Sequence, residues 1–181
     1  LGRKEGYDIE LGAEEEEVIE PDVARYFEGK PPHFVPAYLA RELMNKFHYV
    51  TREEDETIFV YHDNRGIYTP TGETSIKRRV DKALGKYFRR NRQMEVIEYI
   101  KSSTLAEITE TPTTLIVLQN GIFNIETNEL MAFDPKYFIL NALPIKHDPK
   151  AECLKIKKFL SEVMHESDVK VFQEIAGYCL L

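Results

Sequence analysis

The stretch LIVLQNGIFNIETNELMAF, residues 115–133, carries the clearest β-strand signals of this 181-residue chain. It opens on aliphatic and β-branched residues, which are typical of a buried strand. Asn120-Gly121 then turns or kinks the chain, and the segments IFNIE and ELMAF are joined at Thr127-Asn128. Such residues are common in hairpin turns. The stretch therefore predicts a small antiparallel sheet.

A second hairpin is predicted upstream, in TIFVYHDNRGIYT at residues 57–69. Its first and last parts are rich in β-branched and aromatic residues, and HDNRG between them is turn chemistry. Residues 35–47, which precede this hairpin, repeat apolar side chains at helical spacing behind Pro36. Proline is well tolerated in a first helical turn, so we predict a helix there.

Four more helices are predicted from three- and four-residue apolar spacing. One is capped by Thr74 or Ser75, and a break at Arg90-Asn91 separates it from the next. The other two lie within residues 154–176, and Gly177 ends the last. The fold class is thus α+β, with a small antiparallel sheet of hairpins flanked by helices. The central helix pair is compatible with a winged-helix layout, although a usual winged helix places its hairpin after the helices.

Four sequence elements follow one another in the last third of the chain. After the Asn-Gly hairpin come NALPIKHDP at residues 141–149, AECLKIKKFLSEV at 151–163 and VFQEIAGYCLL at 171–181. This order resembles the N-terminal domain of phage, plasmid and poxvirus primase-helicases, the region that precedes a superfamily-three AAA+ motor. The resemblance extends over residues 36–181. It implies a pre-motor helicase domain at residues 33–181, and the composition of residues 1–32 indicates an acidic leader or linker before it.

The resemblance also implies a role in DNA replication for a virus or plasmid. The parent protein would be an ATP-dependent DNA helicase, a hydrolase that forms a homo-oligomeric ring in the cytoplasm of the host. Its partners would be single-stranded or forked DNA without sequence preference, its own motor domain and an upstream primase. ATP and Mg²⁺ would belong to the motor, since this sequence lacks a G-x-x-x-x-G-K-[ST] loop. This chain itself would then be non-catalytic and carry no cofactor.

Charge is unevenly distributed along a chain whose net charge is −7. Residues 1–28 hold ten acidic and three basic side chains, and an EEEE run makes this part typical of a poorly ordered leader. Residues 77–92 hold eight basic side chains and one acidic, Asp81. A segment this basic indicates contact with an anionic partner, or else a plain solvated helix face. The apolar runs are too short to cross a membrane.

The basic helix predicts the candidate nucleic-acid-binding residues. Arg78, Lys82 and Lys86, with Arg89 or Arg90, project opposite its apolar face and form what we call the basic ridge. Two tyrosines of the first hairpin could stack on bases beside such a ridge, although cross-strand aromatic rings more often pack within a sheet. The complete candidate set is Arg65, Arg78, Arg79, Lys82, Lys86, Arg89, Arg90, Arg92, Tyr61 and Tyr68.

No catalytic or metal-binding constellation stands out in the sequence. The five histidines are scattered without metal-ligand spacing. His147, Asp148 and Cys153 could be imagined as a cluster, but the Leu-Pro and Asp-Pro context predicts a turn instead. The acidic residues 53–56 are interpreted as a solvated loop, with a divalent-ion site as a remote second choice.

Two other functions remain open from the sequence. The chain could be an assembly module whose basic ridge meets an acidic surface of a neighbouring subunit. It could also be an independent nuclease or primase, although no paired metal-binding carboxylates are recognisable. A salt series separates the DNA-binding hypothesis from the assembly-module hypothesis, because phosphate binding gives a steep dependence of log affinity on log salt.

Overall fold

The computed structural model describes residues 21–108 and 112–178. The leader's EEEE run therefore lies outside the described residues. The described helices are α1 (Pro21–Ala24), α2 (Pro36–Lys46), α3 (Gly72–Leu84), α4 (Arg90–Ser103), α5 (Leu154–Val163) and α6 (Glu166–Tyr178). The described strands are β1 (Phe27–Glu28), β2 (His33–Phe34), β3 (Tyr49–Arg52), β4 (Ile58–His62), β5 (Ile67–Thr69), β6 (Leu105–Ala106), β7 (Leu115–Leu118), β8 (Gly121–Asn124) and β9 (Glu129–Met131). This composition confirms the α+β class.

A four-stranded sheet in the order β5-β4-β3-β6 forms the centre of the molecule. Alternate residues of a strand point to opposite faces, and β4 uses both faces for burial. Ile58 and Val60 pack with the buried residues of α2, α3 and α4. Phe59 and Tyr61 pack on the opposite face with Tyr68. Because both faces are covered, β4 is buried from Ile58 to Tyr61 rather than at alternate residues.

The predicted β4–β5 hairpin is confirmed, with Tyr61 opposite Tyr68. Strand β6 was not predicted, and it pairs with β3 in parallel, so the sheet is mixed rather than purely antiparallel. Strand β6 consists of two exposed residues, Leu105 and Ala106, and a pair of residues is too short to give a sequence signal for a strand. The pairing is supported by Thr51 and Thr104, whose hydroxyl oxygens lie 2.8 Å apart.

The N-cap of helix α3 lies three or four residues before the predicted caps, Thr74 and Ser75. Thr71 occupies the N-cap position without a side-chain capping bond. Its hydroxyl is 2.7 Å from that of Thr69. Gly72 opens the helix because a Cβ there would lie 2.5 Å from the carbonyl oxygen of Ile58. The helix starts where the chain must pass close to β4, which capping rules alone do not reveal.

The break between the two central helices is also earlier than predicted. Helix α3 ends at Leu84, a short 3-10 turn follows over Gly85–Tyr87, and α4 begins at Arg90. Gly85 has a φ of 49°, a left-handed conformation that favours glycine. The glycine, rather than Arg90-Asn91, thus marks the break. Helices α3 and α4 follow the β4–β5 hairpin in the chain, as the sequence predicted, and pack against the sheet that contains it.

The second predicted sheet is confirmed as β7-β8-β9, antiparallel throughout. Gln119 and Asn120 form the tight turn, and Gly121 opens β8 opposite Leu118. Gly121 has a φ of 153°, and a Cβ there would clash with the carbonyl oxygen of Met131. The glycine is therefore required by the approach of β9 as well as by its own backbone conformation.

An extended segment, residues 134–147, links the two sheets, and we call it the strap. Its Ile139 carbonyl accepts a hydrogen bond of 2.8 Å from the Tyr68 amide of the first sheet. The Leu143 amide donates at 2.9 Å to the carbonyl of Val117 in the second sheet. The ring of Phe138 packs on Tyr68, with ring centroids 4.9 Å apart. The strap thus covers the sheet face that lies opposite the helices.

Residues 21–32 correct the predicted leader boundary. Val23 and Tyr26 are part of the core cluster beneath α2. The Tyr26 hydroxyl donates a 2.8 Å hydrogen bond to Glu42 of α2. The sequence treated this stretch as linker because its apolar residues are few and scattered. Two of them are nevertheless core residues, so the packed body includes residues 21–32.

Helices α5 and α6 confirm the predicted C-terminal pair, although α6 continues past Gly177 to Tyr178. Leu160 is the buried residue of α5, and α6 has none. Val169 of α6 is half-buried, and the following large apolar side chains of the two helices are exposed: Leu154, Ile156, Phe159, Val163, Val171, Phe172, Ile175 and Tyr178. Within the described chain, the apolar faces predicted for these helices are therefore left largely uncovered.

Candidate nucleic-acid interface

The basic ridge is positioned by the buried face of α3. Ile76, Val80 and Leu84 are each fully buried, which fixes the rotation of the helix on the sheet. Arg78 and Lys82 lie one turn apart on the opposite side and are exposed. Lys86 follows in the 3-10 turn, and both Arg89 and Arg90 are exposed at the start of α4. The ridge therefore contains Arg78, Lys82, Lys86, Arg89 and Arg90.

The ridge cations differ in how firmly the protein holds them. Across the described part of the chain, the side chains of Arg78, Lys82 and Arg90 have no hydrogen-bond or ion-pair partner. Arg89 donates a 2.8 Å hydrogen bond to the carbonyl of Phe88. The Lys86 ammonium lies 5.1 Å from the centroid of the Tyr87 ring. All five charges remain exposed, so the surface presents positive charge to the solvent.

Arg79 turns away from the ridge and packs inside the fold. Its guanidinium carbon lies 3.7 Å from the centroid of the Phe47 ring, a cation–π contact. It also donates to the Ser75 carbonyl at 3.1 Å and to the Ser75 hydroxyl. Arg79 is half-buried, and both of these hydrogen bonds are donated by its Nη1 atom. Its prediction as a DNA ligand does not fit this placement.

Arg92 is likewise held by the protein rather than displayed. It donates a 2.6 Å hydrogen bond to the Tyr87 carbonyl. Its guanidinium lies 4.9 Å from the Phe27 ring and 5.7 Å from the Phe34 ring. Arg92 thus joins the β1–β2 hairpin to the start of α4. Sequence reasoning counted it among the free cations because the partner rings lie some sixty residues earlier in the chain.

Tyr61 and Tyr68 are buried, which corrects the stacking role considered for them. Their exposed fractions are 6% and 3%. The two rings are a cross-strand pair with centroids 5.0 Å apart. Stacking on a nucleic-acid base requires an exposed ring, so neither residue can take that role in this arrangement. The alternative considered from the sequence, packing within the sheet, describes both of them.

Burial changes the ionisation of these phenols. Burial raises the pKa of Tyr68 to about 12, with smaller contributions from Tyr61 and Asp134. The Tyr68 hydroxyl donates a 2.6 Å hydrogen bond to the Pro135 carbonyl of the strap. Burial also raises the pKa of Tyr61. The Tyr61 hydroxyl is buried with no hydrogen-bond partner among the described residues. Arg65, the remaining candidate, is exposed in the β4–β5 turn.

The segment around His147 has the turn geometry that its prolines predicted. The Asp148 carboxylate accepts a 2.9 Å hydrogen bond from the Lys150 amide. The His147 amide donates to the Asn120 side chain at 2.9 Å, and its ring stacks on Phe123 at 4.6 Å. Within residues 21–108 and 112–178, no group of three or more His, Cys, Asp or Glu side chains could hold a metal ion.

In the acidic loop at residues 53–56, Asp55 and Glu56 bind basic side chains, whereas among the described residues Glu53 and Glu54 do not. The Asp55 carboxylate accepts hydrogen bonds from Arg52, which hold the pKa of that carboxyl far below its usual range. Glu56 forms an ion pair with Lys101 of α4. Glu53 and Glu54 instead border a groove of about 860 Å³ beside the second sheet. Sequence reasoning missed this groove because its walls come from distant parts of the chain.

The chain belongs to the D5 N-terminal-like family, whose family model matches residues 29–165. This family is the N-terminal domain of primase-helicase type proteins. The match confirms the resemblance drawn from the order of sequence elements. No curated protein sequence matches the chain. Among the described residues, no helix is both long and apolar enough to cross a membrane.

Proposed function

We propose that this chain is the non-catalytic N-terminal domain of a viral or plasmid replicative DNA helicase. It contacts DNA through the basic ridge and contributes to a ring or collar ahead of the motor domain. The observation that carries this proposal is the ridge itself, on a domain of the primase-helicase type. Five exposed cations lie within residues 78–90, and the side chains of three of them have no partner among the described residues.

The ridge chemistry favours sequence-independent contact with phosphates. Exposed lysine and arginine side chains neutralise backbone charge, whereas base readout needs side chains placed in a groove of the nucleic acid. Tyr61 and Tyr68, the two residues considered for stacking on bases, are buried. We therefore expect a weak interaction that is insensitive to base sequence.

We expect no ATP site in this domain, because the sequence has no G-x-x-x-x-G-K-[ST] loop. Gly72 is the glycine that opens α3, and it faces the carbonyl oxygen of Ile58 rather than open space. A phosphate-binding loop instead leaves its backbone amides free to cradle the ligand. We place ATP and Mg²⁺ in the motor domain of the parent helicase. Its upstream primase and its DNA strand preference belong to the same proposal.

The experiment compares DNA binding by the parent chain and the Arg78→Glu/Lys82→Glu variant. Each phosphate contact contributes a slope of about −0.7 to log affinity against log salt on single strands. Loss of two contacts should weaken binding to every sequence and reduce the size of that slope by about 1.4. Fluorescence anisotropy over a salt series measures both quantities.

A matched control is Lys146→Glu/Lys150→Glu, which makes the same charge change on exposed lysines outside the ridge. Its affinity and slope should stay close to those of the parent chain. Equal losses in both variants would show that net charge alone governs the interaction. No measurable DNA binding, with self-association that depends on salt, would favour the alternative of a protein-protein assembly module.

A further inference from the structure

The basic ridge is carried by two kinds of backbone. Arg78 and Lys82 lie on α3, whose rotation is fixed by three fully buried residues on its opposite face. Lys86 and Arg89 instead lie between α3 and α4, within residues 85–89, which we call the ridge turn. Side chains on a connecting segment are less firmly placed than those on a packed helix, unless further contacts hold the segment.

Such contacts exist, because arginine side chains bond the carbonyl groups of the ridge turn. Arg89 donates to the Phe88 carbonyl at 2.8 Å and to the Lys86 carbonyl at 3.5 Å. Arg92 donates to the carbonyl between them, that of Tyr87, at 2.6 Å. Because Arg89 belongs to the turn itself, Arg92 is the donor that joins the turn to another element, the first turn of α4.

Arg92 is in turn held by the β1–β2 hairpin. Its guanidinium carbon lies 4.9 Å from the centroid of the Phe27 ring and 5.7 Å from that of Phe34. These two rings pack edge to face with centroids 5.6 Å apart. The Phe27 ring also meets the buried Tyr87 ring, with centroids 6.1 Å apart. The hairpin therefore holds Tyr87 in two ways, directly through its ring and through Arg92 at its carbonyl.

The contacts of Arg92 require an arginine and not merely a positive charge. A guanidinium is planar, so it can stack on aromatic rings while its fixed N–H groups donate to a carbonyl. A lysine at this position would keep the charge but lose the fixed geometry. The exposed ridge cations, in contrast, need only positive charge to meet a phosphate. Substitution can therefore separate the two roles.

We propose that Arg92 is a positioning residue for the ridge, acting through the ridge turn on Lys86 and Arg89. It holds the turn so that these two side chains meet phosphates from a backbone that is already ordered. Ordering a segment on binding costs affinity, and a segment that is ordered in advance avoids part of this cost. The inference deepens the proposed function and rests on it, because it assigns the contacts that prepare the DNA-binding surface.

The test measures binding of the full 181-residue chain to a single-stranded oligonucleotide by anisotropy over a salt series. Arg92→Lys and Phe34→Leu should each weaken binding by about threefold or more, because the ridge turn becomes less ordered. The slope of log affinity against log salt should not change, because every phosphate contact can still form. The control Arg52→Lys removes a comparable cation–π contact, to Phe59 at 5.2 Å, and should bind like the parent chain.

The deciding measurement is a double-mutant cycle. Arg92→Lys should weaken binding in the parent chain but not in Lys86→Ala/Arg89→Ala, where the side chains that it positions are gone. In Arg78→Ala/Lys82→Ala it should weaken binding by the same factor as in the parent chain, because α3 is fixed by its own buried face. A purely structural role for Arg92 would affect both pairs alike. Circular dichroism checks that each variant is folded.

The positioning role and the proposed function can fail separately. An additive cycle, a reduced salt slope in Arg92→Lys, or unchanged affinity in both Arg92→Lys and Phe34→Leu would overturn the positioning role alone. If Arg92→Lys does not fold, the same cycle with Phe34→Leu decides. Binding by Arg78→Glu/Lys82→Glu that equals binding by the parent chain, or no DNA binding by the parent chain, would overturn the ridge and the positioning role together.

Discussion

Arg78 and Arg79 are neighbours in sequence with different roles in the structure. Arg78 is exposed and has no partner among the described residues, whereas Arg79 covers the Phe47 ring and bonds Ser75. Successive residues of a helix face directions about 100° apart, which is enough to separate solvent from core. Adjacent basic letters in a sequence therefore do not imply one binding surface.

We expect alanine substitution to separate these roles. Arg79→Ala should lower the free energy of unfolding by about 1–3 kcal/mol, because a half-buried cation–π contact and its hydrogen bonds are lost. Its effect on DNA affinity should be small. Arg78→Ala should leave stability within about 0.5 kcal/mol and weaken DNA binding. Chemical denaturation and anisotropy on both variants check this, and a reversed pattern would move the DNA contact to Arg79.

At the scale of elements, the β4–β5 hairpin and the strap form one unit around two tyrosines. The Tyr68 hydroxyl bonds the strap at Pro135, while the Tyr61 hydroxyl is buried without a described partner. A satisfied buried hydroxyl stabilises a fold modestly, and an unsatisfied one costs free energy. The same substitution should therefore have opposite effects at the two positions.

Tyr68→Phe should lower the free energy of unfolding by about 0.5–1.5 kcal/mol at neutral pH. Tyr61→Phe should leave it unchanged or raise it by up to about 1 kcal/mol. Urea denaturation with matched m-values measures both. A larger loss in Tyr61→Phe than in Tyr68→Phe would show that the Tyr61 hydroxyl has a partner after all.

The alkaline stability of the protein follows from the same pair. The pKa of Tyr68 is raised to about 12 in the folded state, against about 10 for an unfolded tyrosine. The folded state thus holds its proton more tightly, and the contribution to stability is complete below pH 10. It is lost as the pH rises through about 12. Tyr68→Phe should make this alkaline decline shallower, which denaturation at several pH values would show.

Elements with a local signal were predictable, and those that depend on distant partners were not. The hairpin at residues 57–69 and the stretch at residues 115–133 carry their own turn residues, so both were found. Strand β6 was missed because its pairing depends on β3, some fifty residues earlier. The packing of Val23 and Tyr26 was missed because it depends on α2.

The same distinction applies to the candidate site, where residues placed by local helix geometry were predictable and residues placed by distant partners were not. The ridge was predicted because α3 has a regular apolar face, and the opposite face follows from helical geometry. The placement of Arg79, Arg92, Tyr61 and Tyr68 depends on rings from other elements. Exposure cannot be read from residue type when the covering partner, such as Phe138 of the strap, lies far along the chain.

At the scale of the whole molecule, a domain of net charge −7 is proposed to bind a polyanion. The negative net charge does not prevent such binding, because exposed charges farther apart than about 10 Å are largely screened at moderate salt. The charge near the binding surface therefore matters more than the net charge. The ridge, on α3 and the start of α4, and the acidic groove beside the second sheet share no residue. In a ring, however, the ridges of neighbouring copies would share one strand of DNA.

That sharing predicts a coupling between assembly and DNA length. Phe159 is 59% exposed on α5, so Phe159→Asp should impair any ring contact made by this uncovered helix face without disturbing the core. On an oligonucleotide of about eight nucleotides, which is the size of one site, the variant and the parent should bind alike. On a strand of about sixty nucleotides the parent gains from linked sites, and the variant should bind at least about tenfold more weakly. Anisotropy titrations with both lengths measure this difference. If the variant lost the same affinity on the short and the long strand, Phe159 would belong to the DNA contact itself. If the variant and the parent bound both strands with equal affinity, the copies would bind DNA independently of one another.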